Sequence, residues 1–190
     1  MAETAPAALP DGLPEPVDDG AADHLPGTPM PSLTLPTTEG DEVTLDELGP
    51  GRTVLYVYPM TGRPGKPQPE GWDDIPGARG CTNEASGFRD HEQELRAAGA
   101  DAVFGLSGQD SGYQQEMAVR LRLPFPVLSD PGLALAAALD LPTFEAAGMR
   151  LYSRLTLIVR DGRVEHVFYP VFPPDQHAAE VLRWLQAHRD

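Results

Sequence analysis

Apolar residues recur along this chain in two rhythms, one of strands and one of helices. Thr53-Val54-Leu55-Tyr56-Val57-Tyr58 and Asp101-Ala102-Val103-Phe104-Gly105-Leu106 are short β-rich runs. Between them Cys81, Ala85, Phe88, Leu95 and Ala98 fall at spacings of four, three, seven and three, the stripe of a helix that packs by one face. Gly99 ends that helix, because glycine tolerates the positive φ of a helix terminus. A helical crossover between two strands makes them parallel neighbours. Cys81 then opens a helix at the carboxyl end of a strand, the edge at which open α/β sheets bind ligands.

The same reading extends along the chain. Ser32 to Leu35 alternates, and Glu42 to Leu45 follows the turn-like Thr38-Glu39-Gly40-Asp41, so a β-hairpin begins the fold. Asp46-Glu47-Leu48 makes a short helical turn, and Gly49-Pro50-Gly51 a break. Tyr113, Met117 and Leu121 mark a second amphipathic helix. The prolines of Leu123 to Leu128 put that extended run at a sheet edge or on a loop, and Leu133 to Leu139 reads as helix. Pro142 to Ser153 has no period and is expected to wander over the surface. Leu155 to Val159 and Val164 to Tyr169 flank Asp161-Gly162, a hairpin signal, and Ala178, Val181, Leu182 and Leu185 define a terminal helix. A central mixed sheet with helices on both faces, in the thioredoxin-like arrangement, accounts for this order.

Two stretches lie outside the pattern. Residues 1–29 are rich in Ala, Pro, Asp and Glu without periodicity, and the expectation is a flexible extension ahead of one domain over residues 30–190. Residues 60–80 form a loop long enough to be functional or disordered, in which Trp72 and Ile75 supply packing anchors; a tolerated surface insertion is the plain alternative.

Charge and composition then narrow the chemistry. With 14 basic and 29 acidic residues the formal charge is −15, which repels nucleic acid and anionic membranes. No apolar run reaches the roughly 20 residues that span a bilayer, and the first residues lack the basic and apolar regions of a secretion signal, so a cytoplasmic protein is expected. One cysteine in 190 residues excludes an internal disulfide and a multi-thiolate zinc site, and no cofactor or metal is called for. His24, His91, His166, His177 and His188 lack metal-ligand spacing; Gly105 to Gln109 lacks the last glycine of a hydrolase elbow; Gly65-Lys66-Pro67 is no phosphate loop; and Asp73-Asp74 reads as solvated carboxylates.

Redox chemistry must therefore pass through Cys81. Backbone N–H groups at a helix start favour thiolate, which predicts a lowered pKa; a buried inert cysteine is the plain alternative. Arg154 stands where a strand begins, and from there it can project toward the sheet end that holds Cys81, or it simply caps the strand at the surface.

Cys81-Thr82-Asn83-Glu84-Ala85-Ser86-Gly87-Phe88-Arg89-Asp90, preceded by Val54 to Pro59 and followed by Arg154 to Gly162, resembles the peroxiredoxins. The match is to the Q-type, or bacterioferritin-comigratory-protein, branch of the alkyl hydroperoxide reductase/thiol-specific antioxidant family, over about residues 27 to 187. The resemblance implies a thiol-dependent peroxidase, an antioxidant oxidoreductase without cofactor, with Cys81 as the peroxidatic cysteine. It makes Arg154 the arginine that holds thiolate and peroxide, and Glu84 the residue that orients the arginine. A peroxide substrate, a thioredoxin-like or other thiol reductant, and a monomer are implied with it. Two departures stand out. The family's threonine three residues before the cysteine is Ala78 here, so Thr61, or instead Arg79, is offered in its place. Ser86 occupies the position of the resolving cysteine, as a natural one-cysteine form or as a Cys→Ser substitution, which the local two-cysteine motif favours. The competing readings are a thiol–disulfide oxidoreductase, which lacks its second cysteine, and a non-catalytic thioredoxin-like interaction module.

Overall fold

The first link from sequence to architecture is a strand buried on both faces. A computed structural model of the chain describes residues 6–190, and in it all six residues of β3 (Arg52–Val57) are buried. β3 is the centre of a five-stranded sheet ordered β5-β4-β3-β8-β9, with β4 (Ala100–Ser107), β5 (Val127–Ser129), β8 (Leu155–Arg160) and β9 (Arg163–Phe168). β3 runs parallel to β4 and antiparallel to β8, so the sheet is mixed, and Val57 faces Leu106 on one side and Leu155 on the other. β1 (Thr34–Pro36) and β2 (Glu42–Thr44) form the leading hairpin.

Alternation along β3 feeds two cores. Val54, Tyr56 and Ile158 pack against α1 (Cys81–Ala97), α2 (Ser111–Leu121) and α4 (His177–Ala187) through Phe88, Met117 and Val181. On the other face Leu55, Val57 and Leu157 meet Leu135 and Leu139 of α3 (Ala134–Leu139), with Leu25, Leu35 and Leu45. Tyr56 stacks on Phe88 at 4.4 Å between centroids, a geometry worth about 0.5–1.5 kcal/mol beyond area. Gly105, its partner on β4, is obligatory, because a Cβ there would come within 2.8 Å of the tyrosine ring. Acidic side chains cap two helices: Asp110 accepts from Tyr113 N at 2.8 Å, and Asp130 accepts from Ala134 N and Leu135 N, both at 2.9 Å.

The structure differs from the sequence reading in two places. Pro142 to Ser153 is not wandering surface chain but a hairpin, β6 (Thr143–Ala146) with β7 (Met149–Tyr152). Ala147 and Gly148 both take positive φ at its turn, and alanine is not a residue that announces such a turn. Leu151 joins Trp72 and Ala78 in a small third core, which is what fastens the 60–80 loop, itself carrying a 3-10 turn at Trp72–Asp74. The second difference concerns the segment expected to be flexible. Residues 1–5 lie outside the described residues; beyond them Leu25 is fully buried, Gly27 N donates to Val164 O at 2.7 Å and Met30 N to Gly162 O at 2.8 Å. This stretch covers the open edge of β9, as Thr37 and Thr38 cover that of β5. Low complexity hid it, because a strand-edge cover needs backbone groups more than a hydrophobic period.

Leu25→Ala is expected to destabilise the protein by about 2–4 kcal/mol in denaturant unfolding, the cost of emptying a fully buried leucine site. A loss under about 0.5 kcal/mol would mean that the segment is not packed as described.

Candidate active site

Two elements converge on Cys81, the first residue of α1. Gly80 precedes it with φ of 107°, and a Cβ at Gly80 would lie 2.4 Å from Pro174 Cγ, so only glycine permits both the turn and the packing. The second element is the chain just before β8. Arg154, 4% exposed, places Nη2 3.1 Å from Cys81 Sγ. The same guanidinium donates to the carbonyls of Gly77 (3.2 Å), Ala78 (3.1 Å) and Arg79 (3.4 Å), and to the Glu84 carboxylate. It therefore grips the end of the long loop and the first turn of α1 at once. The thiol donates to Ala78 O at 3.7 Å, and the Met60 backbone N–H is directed at the sulfur.

Thr61 lies in the same cavity, of about 350 Å³, with Met60, Arg79 and Cys81. Its amide and hydroxyl donate to Gln109 Oε1 at 2.9 and 3.2 Å, and its carbonyl accepts from Gln109 Nε2 at 3.1 Å and Tyr113 Oη at 2.9 Å. The hydroxyl keeps acceptor capacity for an incoming O–H. Arg79 also lines the cavity, tied to Asp73 at 2.7 Å. Thus the candidates Cys81, Arg154, Glu84, Thr61 and Arg79 are brought to one end of the sheet. Ser86 is not: it lies buried in the second turn of α1, with no hydrogen-bond partner for its hydroxyl. Of the aromatics, Trp72 lines the cavity, whereas Phe88 belongs to the core.

Electrostatics correct one expectation. Burial pushes the Cys81 thiol above its ordinary pKa, and Glu84 adds to this; Arg154, chiefly by its charge, and the Met60 N–H pull it down without cancelling the burial. The sequence reading counted the helix start and the arginine but had no measure of desolvation. Burial disfavours the charge of Arg154 too, yet the neighbouring Cys81 and Glu84 outweigh it, and its pKa is raised, so it stays cationic. Burial likewise keeps Tyr58 a neutral phenol; it donates to Gln114, which bonds Leu128 O (2.8 Å) and Ser129 Oγ (2.7 Å). Sequence reasoning missed this polar network and the Gln109–Thr61 clasp. The available signal was the helical spacing of Gln114, three residues before Met117 and seven before Leu121, which puts an amide on the apolar face of α2, where it is fully buried.

Among the described residues no group of three or more His, Cys, Asp or Glu side chains is placed to hold a metal ion, and no helix is long and apolar enough to cross a membrane. A family model described as Redoxin matches residues 25–182. Peroxiredoxin Q, chloroplastic, of Arabidopsis thaliana is 32% identical over 164 residues, 85% of this chain and 67% of that protein. The protein of the same name from Oryza sativa subsp. japonica is 29% identical over 161 residues, 85% of this chain and 66% of that protein, so the chain spans just under two thirds of it. Among solved structures, Peroxidoxin BcpB from Mycobacterium tuberculosis superimposes with a TM-score of 0.70 and 28% identity, over 88% of this chain and 100% of that one.

Because Arg154 is the main influence opposing burial, Arg154→Met is expected to move the midpoint of Cys81 alkylation to higher pH. It also leaves Glu84 buried without a counter-charge, at a cost of about 3–5 kcal/mol that Arg154→Met/Glu84→Gln recovers in part. An unmoved alkylation midpoint in folded Arg154→Met would show that the guanidinium does not act on the sulfur.

Proposed function

Because the chain belongs to the Redoxin family, in its peroxiredoxin Q branch, we propose that it is a thiol-dependent peroxidase reducing hydrogen peroxide or organic hydroperoxides through Cys81. The observation that carries this reading is Arg154 Nη2 at 3.1 Å from Cys81 Sγ, the cysteine itself lining a cavity that Thr61 also lines.

The chemistry follows from these positions. The Cys81 thiolate attacks one peroxide oxygen; the O–O bond breaks, the sulfur gains that oxygen as sulfenic acid, and the departing oxygen takes a proton to leave as water or an alcohol. Negative charge moves from sulfur to the leaving oxygen, and a fixed guanidinium beside the sulfur stabilises it throughout. The Thr61 hydroxyl accepts from the peroxide O–H and orients it. A thiol pKa above the ordinary value means that little thiolate exists at neutral pH, but a more basic thiolate is also a stronger nucleophile. The rate should therefore climb with pH through the thiol's raised pKa and level off above it. A thiol reductant, thioredoxin-like or otherwise, then returns Cys81 to the thiol. A monomer in the cytoplasm belongs to the same proposal, since a single catalytic thiol with no internal disulfide suits a reducing compartment.

Intact mass after one equivalent of hydrogen peroxide should rise by one oxygen, and by a second with excess, mapped to Cys81 and absent in Cys81→Ser. Thr61→Val should slow peroxide consumption by roughly 10²-fold, the usual cost of removing one polar group aimed at the reacting atoms. No oxygen addition at Cys81 under native conditions would leave the non-catalytic module as the better reading.

Ser86→Cys tests the resolving position separately. In a regular helix residues five apart are separated by about 7.5 Å along the axis, beyond disulfide reach, so a bond to Cys81 requires the first turn of α1 to open. One equivalent of peroxide should give a mapped Cys81 to residue 86 disulfide. Persistent sulfenic acid beside a free introduced thiol would show that α1 stays closed.

A further inference from the structure

The peroxidase reading leaves Cys81 as a sulfenic acid with no second cysteine in the chain, so the reducing sulfur must come from outside. Resting on that reading, we infer that the preferred reductant is a small thiol carrying carboxylate groups, bound in the Cys81 cavity, and not a protein dithiol.

Charge is the first ground. Arg63, Lys66, Arg79 and Arg120 all line the cavity, and no Asp or Glu does, although the whole chain carries 29 acidic residues and only 14 basic ones. The carboxylates that pair with these cations do not line the cavity: Glu116 serves both Arg63 (3.6 Å) and Arg120 (2.8 Å), and Asp73 serves Arg79 (2.7 Å). Four cations against two carboxylates leave a positive wall in a chain of net charge −15. Such a local field draws an anion that the rest of the surface repels. Hydrogen peroxide is neutral and gains nothing from this field, whereas the species that attacks the sulfenic acid is a thiolate. The wall is matched to the second half of the cycle.

Access is the second ground. The cavity is about 350 Å³, room for a small molecule, and Cys81 is 4% exposed. The segment that reaches it from the N-terminal side forms one side of the cavity: Pro6 and Ala7 line it, Asn83 Nδ2 donates to Ala7 O at 2.9 Å, and Leu9 lies near Gly80. A protein bringing its own cysteine to the sulfur must make room for itself past these walls. A small thiol fits the cavity as it stands.

The step balances as follows. The thiolate RS⁻ attacks the Cys81 sulfur, an S–S bond forms, the S–O bond breaks, and the hydroxide released takes a proton to become water. A second RS⁻ attacks the R-side sulfur of this mixed disulfide, releasing the Cys81 thiolate and RSSR. Two thiols are oxidised for each sulfenic acid reduced.

The test uses the full chain oxidised by one equivalent of hydrogen peroxide, with the added oxygen confirmed by intact mass. Mercaptosuccinate, 2-mercaptoethanol, cysteamine and reduced thioredoxin are then compared as reductants by second-order rate, each corrected for its thiolate fraction. At low salt mercaptosuccinate should exceed 2-mercaptoethanol by about 10-fold or more, with cysteamine slower still, and the advantage should shrink as salt is raised. A mass equal to the mercaptosuccinate adduct should accumulate when that thiol is limiting. Lys66→Glu and Lys66→Glu/Arg79→Glu should each reduce the preference for the anionic thiol. Equal rates across the three charges, a preference unmoved by either variant, or faster resolution by thioredoxin than by mercaptosuccinate would overturn the inference. Absence of the initial oxygen addition would instead remove the peroxidase reading on which it stands.

Discussion

The guanidinium of Arg154 is the constraint around which this end of the molecule is built. Taking an arginine and a glutamate out of water together costs several kcal/mol for each ion, and their mutual attraction offsets this only when the remaining donors are also met. Here they are: besides the Glu84 carboxylate, three successive carbonyls, those of Gly77, Ala78 and Arg79, accept from the same group. The contact sequence is what matters. Those carbonyls belong to the last residues of the long loop, so the ion that stabilises charge at the sulfur also fixes the backbone that leads into it. Glu84 keeps one oxygen without a partner, so the arrangement favours a defined geometry over the lowest energy.

The sheet supplies the rigidity that this arrangement needs. β3 and β8 are antiparallel neighbours at its centre, one leading into the loop that carries Thr61 and the other following directly on Arg154. Both edges are covered by chain from the first forty residues, so the sheet presents no free edge beside the site. The Trp72, Ala78 and Leu151 cluster roofs the loop, which is why a stretch of 21 residues with almost no regular structure holds a fixed course.

What could be read from the residues was whatever repeats or punctuates. The stripe from Cys81 to Ala98, the glycine that closes it and the Asp161-Gly162 turn gave the central elements, because period and turn chemistry are local. Cys81, Arg154 and Glu84 were legible as candidates through the motif, and the structure brings them into contact. The clasp of Gln109 on Thr61 was not legible, since 48 positions separate the two residues and neither has a periodic reason to meet the other. Nor was the direction of the Cys81 pKa, which depends on how much protein surrounds the sulfur and so on the whole tertiary structure. The edge-covering segment before Met30 was misread for a related reason: its bonds are made by backbone, which every sequence has.

Gly80 has a mechanical consequence. Its missing side chain lets Pro174 sit against the start of α1, and three residues beyond Pro174 begins the carboxyl-terminal helix. The two helix starts are seated on each other as a joint, so close that a side chain at Gly87 would meet Ala178 Cβ at 3.5 Å. Unwinding of the first turns of α1 must lift one half of that joint from the other. The last helix, remote from the chemistry in sequence, thereby braces the turn that carries the nucleophile, and whatever loosens its seat lowers the cost of opening that turn.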